Sequence, residues 1–139
     1  MQAEKIMSRD LFTLFEDDNV QIAKSFMDWK HFRHIPIVNN NFDLVGLLTH
    51  RDILRASISE LESNHFKKNE TLMLQTSIRS IMNRNVAFIY TDDSIAYAAS
   101  LMTKNKFGCL PVLDRANDKL VGIITEADFV KYVHDKLLS

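Results

Sequence analysis

An internal repeat constrains the fold of this 139-residue chain more than any other feature of its sequence. The pair Ile6-Met7 recurs as Ile81-Met82, and the same offset of 75 residues relates further identical residues as far as the two prolines. After one extra residue in the second copy the offset becomes 76, and it relates Leu44-Val45-Gly46 to Leu120-Val121-Gly122. A period this long, present in only two copies, indicates an internal duplication rather than a solenoid.

The duplication predicts how the chain is organised. We divide it into a first repeat over residues 1–62, a linker over 63–75 and a second repeat over 76–139. A repeat of about 60 residues buries only a marginal core by itself, so the two halves are expected to pack on each other.

Both repeats show the same predicted order of elements, β-α-β-β-α, which indicates a mixed α/β (α+β) fold. In the first repeat we predict a strand over 11–15, a helix that begins after the cap residue Asn19, strands over His34–Val38 and 42–48, and a last helix beginning at Thr49. The second repeat follows the same pattern, with Ser94 as its cap residue. Because proline donates no hydrogen bond, Pro36 and Pro111 predict an edge strand or a strand start.

The motif Gly-h-h-Thr-x-x-Asp, where h is apolar, occurs once in each repeat, from Gly46 to Asp52 and from Gly122 to Asp128. One interpretation is a capping box, in which Thr and Asp satisfy the free N–H groups of the first helical turn. The other is a ligand site: the helix N-terminus and threonine favour a phosphate, the acid can accept from ribose hydroxyls, and the glycine lets a ligand approach the backbone. The two interpretations are compatible, and local structural capping is the more common one.

The residue before the acid differs between the copies. Arg51 could bind a phosphate in a forked geometry, or it could be an ordinary solvated helix residue, and the sequence does not rank these two roles. Ala127 stands at the matching position of the second copy. We therefore expect the first site to accept a polyphosphate better than the second.

Other residues give weaker signals. His31 and His34 have a spacing that could suit a metal, but no third ligand is evident, so a pair without a metal is favoured. Cys109, the single cysteine, cannot form a disulfide framework and is expected to be buried and unreactive in a reducing, cytoplasmic setting. We find no nucleophile beside a base, which argues against an enzyme.

Composition excludes two classes of partner. The chain carries 17 basic and 18 acidic residues, so no overall field attracts nucleic acid. No apolar run reaches the roughly 20 residues of a membrane span.

The doubled pattern, with IMSRD, FRHIPIVNN and LVGLLTHRDIL in the first copy and IMNRN, FGCLPVLD and LVGIITEADFV in the second, resembles a tandem pair of CBS domains, a Bateman module. The resemblance implies two repeats that pack through their sheets with pseudo-twofold symmetry and enclose two clefts. It implies a regulatory module that binds AMP, ADP or ATP, with S-adenosylmethionine and NAD less favoured, and no obligatory cofactor. It also implies a homodimer and a protein partner of unknown identity. Two alternatives stay open: an interaction module with unoccupied clefts, and a regulatory fragment of a larger transporter or enzyme.

The resemblance also assigns roles to residues. It implies that Asp52 and Asp128 contact ribose, that Thr49 and Thr125 lie on the phosphate side, and that Arg51 adds a cation at the first site only. A looser correspondence implies that adenine lies near the first strand and the residues before the proline of each repeat: Thr13, Leu14, His34, Ile35, Phe88, Ile89, Cys109 and Leu110.

Overall fold

The computed structural model describes residues 1–62 and 73–138, which belong to two compact units. One unit, Phe12–Val86, is a single stretch of chain, and we call it the continuous unit. The other combines Met1–Leu11 with Ala87–Ser139, and we call it the discontinuous unit. Each unit therefore joins the strands and longer helices of one repeat to the segment that precedes the first strand of the other repeat. Most of the predicted linker, residues 63–72, lies outside the described residues.

The continuous unit has one three-stranded sheet in the order β1-β2-β3, with β1 parallel and β3 antiparallel to the central strand β2. Its elements are β1 (Leu14–Phe15), α1 (Val20–Lys30), β2 (His34–Val38), β3 (Leu44–Thr49) and α2 (His50–Glu62). A short 3-10 helix, Ile78–Ser80, belongs to the same unit.

The discontinuous unit has the same architecture, with sheet order β4-β5-β6. Its elements are the 3-10 helix Ala3–Lys5, β4 (Ile89–Tyr90), α3 (Ile95–Asn105), β5 (Cys109–Leu113), β6 (Leu120–Thr125) and α4 (Glu126–Leu138). The prediction of a mixed α+β fold with two β-α-β-β-α repeats is confirmed.

Polar side chains start the first helix of each unit as predicted. The side chain of Asn19 accepts a hydrogen bond from the N–H of Ile22 at 2.9 Å, and Ser94 accepts from Tyr97 at 3.0 Å. Each cap satisfies an N–H group that has no partner inside the helix. The α1 helix ends where His31 adopts a left-handed conformation (φ 60°).

Each unit has its own apolar core. The buried side chains of the continuous unit come from all its strands and helices: Leu14, Val20, Ala23, Met27, Ile35, Ile37, Leu48, Ile53, Met73, Ile78 and Met82. Those of the discontinuous unit are Ala3, Met7, Ile89, Ala98, Met102, Leu110, Val112 and Ile124. The segments that precede β4 and β1 are therefore core components of these units and not only connections.

The prediction that the prolines mark an edge strand or a strand start was wrong. Pro36 is the third residue of β2, which is the central strand of its sheet. Pro36 lies opposite Leu47 of β3. The N–H of Leu47 donates a hydrogen bond to the C=O of Asn83, and the C=O of Leu47 accepts one from the N–H of Asn83. Pro36 is therefore at a position where the β2–β3 ladder needs no donor. On the other side, β1 pairs only with Ile37 and Val38, so the missing N–H of the proline leaves no ladder bond unmade.

Two predicted strand starts were also wrong. Residues 11–13 lie outside β1, which is two residues long. The third strand begins at Leu44, because Asn39 forms the preceding turn by accepting from the N–H groups of Asn41 and Asp43, and Phe42 adopts a φ of 64°.

Candidate ligand-binding site

The first Thr-x-x-Asp motif forms a reciprocal cap at the junction of β3 and α2. A carboxylate oxygen of Asp52 accepts from the N–H of Thr49 at 2.8 Å, and the hydroxyl of Thr49 accepts from the N–H of Asp52 at 3.1 Å. The capping interpretation is therefore confirmed. The second carboxylate oxygen of Asp52 takes no part in the cap, and its side chain is 15% exposed.

The second motif has a related geometry at the junction of β6 and α4. The Oδ2 atom of Asp128 accepts from the N–H of Thr125 at 2.8 Å and from its hydroxyl at 3.3 Å. Here the threonine hydroxyl is directed to the carboxylate. Both acids thus use Oδ2 for capping, which leaves Oδ1 as the oxygen able to accept from a ligand hydroxyl.

The start of the central strand lies directly across from each threonine. His34 pairs with Thr49 in the β2–β3 register, and Cys109 pairs with Thr125 in the β5–β6 register. The N–H of His50 donates to the carbonyl of Arg33 at 2.8 Å, which ties the beginning of α2 to the entry of β2. Each unit therefore brings the residues before its proline next to its Thr-x-x-Asp cap.

Several predicted adenine contacts have buried side chains. Leu14, Ile35 and Leu110 belong to the apolar cores, with exposures of 9%, 0% and 0%. Cys109 is also buried, and desolvation raises the pKa of its thiol to about 12. A ligand could meet these residues through their backbone only. Thr13 and His34 are half-buried.

Two arginines stand near the first cap. Arg51 is exposed at the start of α2. The second, Arg55, was not among the predicted site residues; its guanidinium lies 3.9 Å from the Oδ1 atom of Asp52, and its side chain is 72% exposed. The signal was available, since residues three apart on a helix are neighbours. Arg55 therefore places a cation beside Oδ1 of Asp52, the carboxylate oxygen that makes no capping hydrogen bond.

The motif glycines have a packing role that the sequence did not predict. A β-carbon at Gly46 would lie 2.5 Å from the sulfur of Met82 and 3.2 Å from the carbonyl oxygen of Asn83. At Gly122 it would lie 2.5 Å from the sulfur of Met7. The group that lies at the β-carbon position of each glycine is therefore the chain's own methionine segment. The sequence repeat pairs these methionines with each other, but it carries no signal of their contact with glycine.

The discontinuous unit has an open cavity of about 890 Å³ that includes the second acid. The N-terminal segment forms one wall and α4 the other. The lining residues are Met1, Gln2, Lys5, Ile6, Met7, Ser8, Asp128, Lys131, Tyr132, Asp135 and Lys136. We call this cavity the α4 groove.

No group of three His, Cys, Asp or Glu side chains within residues 1–62 and 73–138 could hold a metal ion. In the same ranges, no helix has both the length and the apolar character needed to cross a bilayer.

Two β-α-β-β-α units, each with a Thr–Asp cap where its last strand meets its last helix, define a duplicated α+β module. The CBS domain model matches residues 3–59 and 78–135, so this chain belongs to the CBS domain family. The resemblance inferred from the sequence is confirmed.

Relatives place the module in proteins of very different length. A CBS domain-containing protein of Dictyostelium discoideum is 32% identical over 128 residues, covering 91% of this chain and 87% of the relative. The homoserine O-acetyltransferase of Methanococcus vannielii is 30% identical over 122 residues, covering 88% of this chain but only 23% of the enzyme. In that enzyme the matching part is therefore a minor portion of the whole.

Solved structures share the fold over nearly the whole chain. The AcuB protein of Vibrio cholerae has a TM-score of 0.83 and 33% identity, covering 99% of this chain and 93% of that one. The CBS domain pair of protein MJ0100, solved in complex with 5′-methylthioadenosine and S-adenosyl-L-methionine, has a TM-score of 0.79 and 26% identity, covering 98% of both chains.

Proposed function

We propose that this chain is a regulatory module that binds an adenosine-containing ligand of the AMP, ADP and ATP class. The observation that carries the proposal is the duplicated cap. In each copy an aspartate is fixed at a helix N-terminus by one oxygen, while its other oxygen remains for a ligand. A fixed acceptor of this kind suits the vicinal hydroxyls of ribose, and the positive end of the helix suits a phosphate.

The similarity to the MJ0100 domain pair supports the adenosine part of the proposal, because that protein was solved with two adenosine derivatives. The exposed cations Arg51 and Arg55 at the first site support a phosphorylated ligand there. Neutral or cationic derivatives such as S-adenosylmethionine would gain less from them.

Isothermal titration with adenosine, AMP, ADP, ATP and S-adenosylmethionine tests the proposal. We expect Asp52→Asn and Asp128→Asn each to weaken one binding event by about tenfold or more, because a hydrogen bond to a charged acceptor is lost. Asparagine can still accept from the threonine N–H, so the cap is retained. Asp28→Asn, at an exposed acid on α1, is the matched control and should leave binding unchanged. If none of the five ligands binds, the proposal is refuted and an interaction module with unoccupied clefts is favoured.

We further propose that the module is not an enzyme and acts by passing the bound state to a protein partner in the cytoplasm. A ligand with different affinities for two conformations shifts their populations and needs no reaction to do so. Incubating the chain with ATP and quantifying the nucleotides by chromatography tests this part. Turnover of ATP beyond that of a heat-inactivated sample would contradict it.

A homodimer is the assembly that we propose. Val130, Val133 and Leu137 are 69%, 53% and 81% exposed, and their spacing aligns them on one face of α4. A second copy of the chain carries the same apolar face. Two such faces commonly bury each other by packing about a twofold axis. Light scattering should report a dimer for the native chain and a monomer for Val133→Glu, whereas Lys104→Glu on α3 should remain dimeric. A monomeric native chain would exclude this assembly.

A further inference from the structure

The α4 groove is lined by lysines, whereas the second Thr-x-x-Asp motif, which has Ala127 in place of Arg51, contains no cation of its own. Lys5 enters it from the 3-10 helix and Lys131 from α4. Both are exposed, and neither ammonium forms an ion pair within the part of the chain that the structure describes. A third lysine, Lys136, is 5.6 Å from the ring centre of Tyr132 and is thereby held against an aromatic face. Lys5 and Lys131 are thus the two cations best placed to meet an anion in the groove.

These lysines share the cavity with the second acid. Lys131 follows Asp128 by three residues, so the two lie on the same face of α4, about 4.5 Å apart along the helix axis. Lys5 approaches from the opposite wall, in the segment that also contributes Ser8. A ligand whose ribose meets Asp128 would therefore occupy a cavity that both lysines line.

The two units differ in how they supply positive charge. The repeat offset places Ser80 of the continuous unit where the discontinuous unit has Lys5, and Arg51 where it has Ala127. A lysine on the preceding segment is thus found in the unit that lacks the arginine of the motif. The same offset pairs Lys131 with Arg55, so that cation comes from the last helix of both units, and only the other one changes its element.

We propose that Lys5 and Lys131 bind the phosphate groups of a nucleoside di- or triphosphate whose ribose is held by Asp128. This inference rests on the proposed function and deepens it. It modifies the expectation, drawn from Ala127 alone, that the first site accepts a polyphosphate better than the second. Ammonium groups act on phosphate as flexible point charges, so this site needs no forked arginine.

Isothermal titration in the Asp52→Asn background isolates this site, with adenosine and ATP as the two probes. In the Asp52→Asn variant, with Lys5 and Lys131 intact, we expect ATP to bind more tightly than adenosine. In the Lys5→Gln/Lys131→Gln variant the affinity for ATP should fall about tenfold or more, because two charge-assisted contacts are lost. The affinity for adenosine should stay within about twofold, since no phosphate is involved.

The Lys104→Gln/Lys106→Gln variant is the charge-matched control, because these exposed lysines at the end of α3 lie outside the groove. It should leave the affinity for ATP unchanged. Circular dichroism of each variant checks that the fold is retained.

Three results would overturn the inference, and they are distinguishable. If adenosine and ATP both fail to bind the native chain, the proposed function fails and the inference fails with it. If both bind but ATP gains nothing over adenosine, or the groove variant binds ATP as the control does, only the lysine assignment fails.

Discussion

Replacing Gly46 with alanine tests whether the chain's own Met82 requires the glycine. The added β-carbon would lie 2.5 Å from the methionine sulfur and 3.2 Å from the carbonyl oxygen of Asn83. Met82 is 8% exposed, so its side chain has little room to move. Gly46 does not adopt a positive φ, and alanine therefore brings no backbone strain of its own.

The cost can be worked from these contacts. Overpacking of a well-filled core costs about 1–3 kcal/mol. Alanine offsets about 0.4–1 kcal/mol of this by reducing the freedom of the unfolded chain. We expect the free energy of unfolding to fall by about 1–2 kcal/mol and the melting temperature by on the order of 5 °C.

A double-mutant cycle separates this clash from any other effect. Met82→Ala alone should cost about 2–5 kcal/mol, as core truncations do. In its presence Gly46→Ala should cost less, because the 2.5 Å contact with the sulfur is gone and only the 3.2 Å contact with the carbonyl oxygen of Asn83 remains, which gives a coupling of about 1 kcal/mol or more. Pairing Met82→Ala with Gly122→Ala is the matched control, since Met7 is the residue at Gly122 and the effects should add.

Urea unfolding followed by circular dichroism measures all of these variants. If Gly46→Ala is as stable as the native chain, the packing explanation is wrong. If Met82→Ala couples as strongly to Gly122→Ala as to Gly46→Ala, the explanation is also refuted, because the contact would then not be specific to one methionine.

Three further predictions concern single groups. Burial raises the pKa of Cys109 to about 12, so a thiol reagent at mildly alkaline pH should react far more slowly with the folded chain than with the urea-unfolded one, and equal rates would contradict this. Asn19→Ala and Ser94→Ala should each lower the free energy of unfolding by about 1 kcal/mol, whereas Asn19→Asp should stay near the native value. A hydrogen bond with Asp118 raises the pKa of Tyr90, so Asp118→Asn should shift its ultraviolet titration to lower pH, and an unchanged curve would argue against that bond.

Local features of the sequence predicted much of the fold. Asn19 and Ser94 start their helices as expected, because a cap is decided by the residues of one helical turn. The bounds of β2 were predicted correctly, since its apolar run is continuous. The reciprocal cap of Thr49 and Asp52 likewise depends only on residues three apart.

The errors concern contacts between distant residues. Pro36 is tolerated in a central strand because β1 is too short to reach it, and the length of a partner strand is not encoded near the proline. Gly46 is explained by Met82, which is far away in sequence. The α4 groove depends on Lys5 meeting a helix at the other end of the chain, so a search for local motifs could not find it.

The division of the chain into a continuous and a discontinuous unit has a consequence for the order in which the protein forms during synthesis. Every residue of Phe12–Val86 has been made before translation reaches β4, so this unit can fold while the rest is still being added. The segment Met1–Leu11 is made before the continuous unit, whereas its β5 and β6 partners are made after it. Met7 therefore lacks these partners until the continuous unit has been made, so this segment reaches its native place only after β5 and β6 are available.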